Sequence, residues 1–179
     1  MLSDLKRLKN GQQLELPLFN KAIDDRYPRE HWQQAAGPVD LILFEGWCVG
    51  AQPQNEEALV EPVNILERSE DPDLTWRRYV NRQLQEGYRK LLAELDFLIM
   101  LKGPDMQSIM NWRSMQEQKL ASAATGQANS KIMNNAALER FIMHYERLTR
   151  AMLDEMPKRA QLVLELNAAH QIEQVRFNT

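Results

Sequence analysis

The hydrophobic positions of this chain fall into three short apolar runs set between longer helical patterns. Leu41-Ile-Leu-Phe44, Phe97-Leu-Ile-Met-Leu101 and Leu162-Val-Leu-Glu-Leu166 read as strands. The first two have no polar residue at alternate positions, the pattern of a strand covered on both faces. From Leu74 to Leu95, the residues Val80, Leu84, Tyr88, Leu91 and Leu95 recur three or four apart, one stripe of an amphipathic helix. Asp71 is placed to cap its start, with Pro72 at the first helical position, where a missing N–H costs nothing. Lys102-Gly-Pro-Asp105 reads as a turn whose Asp caps a helix running through Met106, Ile109 and Met110 towards Leu120. The stretch 121–135, rich in Ser, Thr, Gly, Gln and Asn, reads as a mobile loop. Beyond it Leu138, Phe141, Ile142, Tyr145, Leu148 and Met152 line a helix that ends near Met156-Pro157. Strand, helix, strand, loop, helix, strand in that order predicts a parallel sheet with crossover helices, an α/β domain. Before all of this, Leu2, Leu5, Leu8 and Gly11 predict a short helix with a glycine stop, and 16–28 reads as a long polar-studded loop of the kind that often carries function.

Length and composition narrow the class. A chain of 179 residues is the size of one domain. With 44% hydrophobic and 26% charged residues, disordered and collagen-like readings are excluded. The net charge is −3 and Lys and Arg never occur more than two in a row, which argues against a nucleic-acid partner. A single Cys48 excludes an internal disulfide, and with three scattered His it builds no zinc spacing; the expected compartment is reducing, the cytoplasm. The longest apolar run, Phe97 to Leu101, is too short to span a bilayer, and the opening MLSDLKRLKNG lacks the apolar core of a secretory signal, so no membrane association is expected.

Glu45 is the sharpest candidate for chemistry. It stands at the carboxyl end of the first apolar run and is followed by Gly46-Trp47-Cys48-Val49-Gly50, a turn with two glycines. Ligands of open α/β sheets bind at that edge, where a carboxylate holds Mg²⁺ through water or accepts a hydroxyl proton; a solvated acid ending a strand is the plain alternative. Lys21, Asp24, Asp25 and Arg26 form a mixed-charge cluster suited to a small polar substrate with a carboxylate, although a solvated loop has the same composition. Arg113 and Glu117 are spaced as an i, i+4 ion pair, and with Lys119 they put cations at the base of the loop, where a lid closing over phosphates would need them. Arg140, His144 and Arg147 form a basic stripe that reads as a solvated face. Cys48 reads as a small packed residue, and Trp47 and Trp112 as core or pocket wall. None of the seven glycines is followed by Lys, and no two are spaced as in GxGxxG, so these residues contain no phosphate-cradling glycine loop.

Taken together, Val39-Asp-Leu-Ile-Leu-Phe-Glu-Gly-Trp-Cys-Val-Gly50, Leu16-Pro-Leu-Phe-Asn-Lys21, Trp112-Arg-Ser-Met-Gln-Glu117 and Phe141-Ile-Met-His-Tyr145 resemble the D-glycerate 3-kinase-like branch of the P-loop kinases, close to its bacterial members. The resemblance covers nearly the whole chain, and FEGWCVG is its most specific part. It implies a three-layer α/β/α P-loop kinase fold with a mostly parallel sheet, ATP and Mg²⁺ as cosubstrate and ion, and a small hydroxy acid such as D-glycerate as acceptor. It implies that Glu45 is the acidic residue near magnesium and acceptor, with Trp47 beside it. Lys21, Asp24, Asp25 and Arg26 lie in the acceptor-side loop. Arg113 begins the lid, with Lys119 further along it. Asn167 and His170 lie where such kinases run past the adenine.

The chain departs from the family in two places. Asn20 replaces Asp in the usual Phe-Asp-Lys, and the segment carrying the first strand and Walker A loop has no counterpart here. The resemblance therefore implies one incomplete kinase domain: 1–40 the acceptor-side region, 41–104 core strands and helices, 105–135 lid helix and loop, 136–179 the last helix and strand. Alternatives are a non-catalytic remnant, or half of a split kinase, binding a metabolite or a partner chain. The family's strand order resembles 2-3-1-4-5, so the runs at 41–44 and 97–101 are expected to pair with each other directly, or through a strand from a second chain, either another copy or one supplying the missing strand.

Overall fold

A computed structural model describes residues 2–20, 23, 25–35, 37–123 and 133–178. The chain divides into two compact units, Met1–Glu45 with Glu117–Ile132, and Gly46–Gln116 with Met133–Thr179.

In the first unit the expected opening helix forms as α1 (Leu2–Lys9) and stops at Gly11, whose φ of 71° favours a residue without a Cβ. A Cβ on Gly37 would stand 2.5 Å from Gly11 Cα, so the pair of glycines lets two backbones touch. The stretch read as a loop is partly paired: β1 (Leu14–Leu16), β2 (Phe19–Asn20), β3 (Asp25–Arg26) and β4 (Gln33–Ala35) form two antiparallel pairs, β1 with β4 and β2 with β3. Strands of two or three residues are too short to show a period in the sequence. Glu15 accepts from Arg29 Nε at 2.6 Å and Gln34 Nε2 at 3.0 Å across the outer pair, and these two bonds hold its carboxyl below the usual range.

Leu41-Ile-Leu-Phe44, expected as a core strand, lies in no strand or helix, and Leu41 and Leu43 are 74% and 81% exposed. A strand exists only through a hydrogen-bonded neighbour, and among the described residues this run has none. The direct pairing expected between it and the run at 97–101 is therefore not formed.

The second unit opens with α2 (Glu56–Val60) and α3 (Ile65–Glu70), capped by the side chains of Asn55 and Asn64. The long helical stripe is confirmed as α4 (Thr75–Gln83), a wider π turn at Leu84–Tyr88 and α5 (Arg89–Leu92). Asp71 does not stand at its N-cap, which is Leu74. It closes α3 instead and reaches over the intervening turn to accept from the N–H groups of Trp76 (2.8 Å) and Arg77 (3.1 Å). Strand β5 (Ile99–Lys102) comes next, then α6 (Met106–Ala123), whose start Asp105 caps through Ser108 N at 2.7 Å as expected. The backbone N–H of Ser108 and then its hydroxyl draw the Asp105 carboxyl below its ordinary value. The predicted loop at 121–135 is helical through Ala123 and again from Asn135, and 124–132 lie outside the described residues. Helix α7 (Asn135–Glu155) is followed by β6 (Leu162–Leu166) and β7 (Ile172–Phe177).

These strands form a sheet of order β5-β6-β7, with β5 and β6 parallel and β7 antiparallel to β6. The sheet is thus mixed, and β7 was not legible in the sequence: it is an exposed edge strand whose Glu, Gln and Arg break any apolar run. One face of the sheet buries Met100 and Val163 against Ala51, Leu84, Met152, Met156 and Ala160. Gly50, with φ 84°, closes the turn onto this core. A Cβ there would meet Leu98 Cδ1 at 2.9 Å, and its carbonyl accepts from Arg159.

Arg147, read as part of a solvated stripe, is buried. It grips Glu67 in two bonds, Nε to Oε1 at 2.8 Å and Nη2 to Oε2 at 2.7 Å, and donates to the carbonyls of Ala58 and Glu61. Arg77 binds Asp71 at 2.9 Å and the carbonyls of Leu59 and Val60. Arg147 enters between α2 and α3, whereas Arg140 pairs with Glu70 at the exposed end of α3. A basic stripe has the same spacing in either case; only Arg147 is covered by both α2 and α3.

Candidate functional site

Trp47 and Arg113, far apart in sequence, are drawn to one side of α7 by a line of side chains four residues apart. Trp47 Nε1 donates to Thr149 Oγ1 at 2.9 Å, and its ring meets Tyr145 edge-on at 4.6 Å. Tyr145 stacks on Phe141 at 4.6 Å, and the Arg113 guanidinium lies over Phe141 at 5.3 Å. The spacing of Phe141, Tyr145 and Thr149 puts them on one face of the helix. Trp47 sits in a tight turn, Val49 N to Gly46 O at 3.2 Å and Ala51 N to Cys48 O at 3.1 Å, which leaves its indole partly exposed. Arg113 also donates to Gln116 Oε1 at 2.8 Å. Trp47, Tyr145, Phe141 and the Arg113 guanidinium thus follow one another along a single aromatic line on α7.

A second cluster surrounds Asn167 and His170. In the β6–β7 turn, Asn167 Oδ1 accepts from Ala169 N and Gln171 N, both at 3.0 Å, so this side chain builds the turn. His170 has φ 63°, a left-handed conformation unusual for a side chain of its size, and its exposed ring stacks on Trp112 at 4.3 Å. Trp112 Nε1 donates to Ala168 O at 2.9 Å, and a Cβ on Gly103 would lie 3.2 Å from the indole. Trp112 thereby fastens the first turns of α6 to the β6–β7 turn. Sequence reasoning read Trp112 as core or pocket wall and Phe141 and Tyr145 as part of one apolar helix face; the i, i+4 recurrence of Phe141, Tyr145 and Thr149 was the signal that one line of side chains runs along α7.

Glu45, Asp25, Arg26 and Lys119 belong to the first unit. Glu45 is exposed at the end of the unpaired run, and Lys119 is exposed on α6. Asp25 and Arg26 form β3, with Asn20 opposite Asp25 and Phe19 opposite Arg26. An Asp at 20 would set two carboxylates across one pair, an unfavourable juxtaposition that Asn20 avoids. Lys21 and Asp24 lie outside the described residues. Among the described residues no three His, Cys, Asp or Glu gather as a metal site, and no helix is long and apolar enough to cross a membrane.

The parallel strand pair, the crossover through α6 and α7 and the helices on the sheet define an α/β fold of the P-loop kinase type. In sequence the chain is similar to D-glycerate 3-kinases. The chloroplastic D-glycerate 3-kinase of Arabidopsis thaliana is 28% identical over 144 residues, 78% of this chain and 28% of that protein. An uncharacterised kinase, mug58, of Schizosaccharomyces pombe is 25% identical over 142 residues, 76% of this chain and 48% of its own length. Among solved structures, D-glycerate 3-kinase from Cryptococcus neoformans superposes with a TM-score of 0.74 at 21% identity, covering 99% of this chain and 64% of its own. No family model matches the sequence. The chain thus spans between about a quarter and two thirds of the length of these relatives.

Proposed function

We propose that this chain is part of a cytoplasmic, ATP-dependent small-molecule kinase of the D-glycerate 3-kinase type, which phosphorylates a hydroxyl of a small hydroxy acid. One observation carries the reading: a sequence relative and a structural relative from different organisms both bear the name D-glycerate 3-kinase, the second matching almost the whole chain. On this reading Lys21, Asp24, Asp25 and Arg26 grip the acceptor, Trp47 forms its wall, and Glu45 accepts the hydroxyl proton or approaches the metal through water. Arg113 and Lys119 act on the phosphates, and the His170 ring and the Asn167 turn lie along the base. The donor set suits Mg²⁺ only as an ion carried in by nucleotide phosphates, because no metal cage exists among the described residues. Bound ATP and Mg²⁺ supply the transferable phosphoryl group and neutralise its charge, while the chain's cations and dipoles orient and stabilise.

The phosphate-cradling loop comes, on this reading, from polypeptide outside these 179 residues, since none of their glycines precedes a Lys. The same fact favours a second reading, a non-catalytic remnant or split-kinase half that binds a metabolite or a partner chain. Assay of phosphoryl transfer to D-glycerate separates them. The purified 179-residue chain is expected to be inactive. In a polypeptide that also carries a phosphate loop, Glu45→Gln should lower kcat far more than it raises KM for ATP, and Arg113→Ala should cost on the order of 2 to 4 kcal/mol in kcat/KM. Turnover by the short chain, or an unchanged kcat in Glu45→Gln, overturns these assignments.

A further inference from the structure

Trp112 stands where the two parallel strands end. Gly103 follows β5 directly, and a Cβ there would lie 3.2 Å from the indole, so the ring rests against the chain as it leaves that strand. On its other side Nε1 donates at 2.9 Å to the carbonyl of Ala168, just beyond the end of β6, and the His170 ring lies on the indole at 4.3 Å and 31°. One side chain thus ties the carboxyl ends of β5 and β6 to α6. Ligands of open α/β sheets bind at that edge. The next residue, Arg113, turns to α7, where its guanidinium lies over Phe141 at 5.3 Å. Adjacent positions of a helix point about 100° apart, so α6 is held on two sides within one turn, at the sheet by Trp112 and at α7 by Arg113.

We propose that Trp112 is a positioning residue: it fixes α6 against the carboxyl edge of the sheet, and through α6 it sets the place of the Arg113 guanidinium. The exposed His170 ring couples the β6–β7 turn to this setting, because a group that packs against the turn bears on the ring and the ring bears on the indole. An indole that only filled space would be served as well by Phe. What Phe lacks is the Nε1 bond to the turn carbonyl, which fixes the ring in direction as well as in place. Placement matters at a charged group that meets a reacting phosphoryl, since a shift of about 1 Å there costs on the order of a hundredfold in rate. What Arg113 acts on rests on the kinase reading; its placement by Trp112 does not.

The test has two arms. In the 179-residue chain, ¹⁵N relaxation gives the order of the Arg113 Nε–H, with the Arg147 Nε–H, which is bonded to Glu67, as control. Trp112→Phe keeps a ring and removes the bond to Ala168. It should bring the Arg113 order parameter below about 0.6 while Arg147 and the circular dichroism stay as they were, and His170→Ala should lower it by a smaller amount. In a polypeptide that also carries a phosphate loop, Trp112→Phe should lower kcat about tenfold or more with KM for the hydroxy acid within about twofold, and should have no further effect once Arg113 is replaced by Ala. The proposal is overturned if Arg113 keeps its order in Trp112→Phe, if Arg113 and Arg147 loosen together, if His170→Ala leaves Arg113 untouched, or if the losses at 112 and 113 add. Absence of turnover in the unaltered polypeptide counts against the kinase reading alone, and the order of Arg113 still decides whether Trp112 places it.

Discussion

Leu41-Ile-Leu-Phe44 and Phe97-Leu-Ile-Met-Leu101 are nearly interchangeable as sequence, yet only the second becomes a strand. β5 has β6 beside it in parallel register and buries Met100 in a core of seven residues. The run at 41–44 has no strand partner among the described residues, and its leucines are the most exposed large apolar side chains among those residues. Hydrophobic content thus qualifies a segment for a sheet, but backbone hydrogen bonding admits it, and that depends on residues distant in sequence.

The contrast has measurable consequences, the largest in the framework around β5. Arg147 holds Glu67 and two carbonyls in a buried site, so Arg147→Ala leaves the Glu67 carboxylate with only the Val63 N–H at 2.9 Å and the Arg77 guanidinium at 4.0 Å, and should cost about 3 kcal/mol in urea denaturation. A loss below about 1 kcal/mol would show that this cluster is not what secures the unit. Next comes the direct comparison of the two runs. Met100→Ala should cost about 2 to 5 kcal/mol, whereas Leu43→Ala should stay within about 0.5 kcal/mol. Equal costs would mean that 41–44 is buried in solution and that the difference drawn here is wrong.

The smallest effect is in acid. Burial alone would raise the Asp71 carboxyl, but the N–H of Trp76 and then the Arg77 side chain and N–H outweigh it, leaving the folded group below its ordinary value. A depressed folded value stabilises the protein above the unfolded value of about 3.9, and this is lost as pH falls from there through the folded value. Denaturation midpoints taken from about pH 5 downward should therefore fall less steeply for Asp71→Asn than for the unaltered chain. Parallel slopes would remove Asp71 from the acid response.

The candidate site was legible in parts. Trp47, Arg113, Asn167 and His170 were singled out from motifs, and the structure gives each a defined setting: Trp47 and Arg113 on one aromatic line, Asn167 as the builder of a turn, His170 on Trp112. Their grouping was not legible, because α7 joins Trp47 to Arg113 across a stretch of sequence that no local pattern encodes. Arg147 shows the same limit from the other side. Its spacing from Arg140 and His144 describes a solvated stripe, and only the placement of α2 and α3 makes it a buried ion partner.

The sequence by itself determined what propensity, period and capping control: α1 and its glycine stop, the helical stripe through Leu84, the Asp105 cap, α7, and the strands at 99–102 and 162–166. These depend on residues a few positions apart, whose interactions the chain carries wherever it goes. Tertiary structure alone decided that 41–44 has no strand partner among the described residues, that Asp71 serves two helices, that β7 completes a mixed sheet, and that Ile99, Leu101, Val175 and Phe177 of that sheet stay exposed. Each of those outcomes requires a partner brought from far along the chain, and whether that partner is present is a property of the assembled fold, not of the segment.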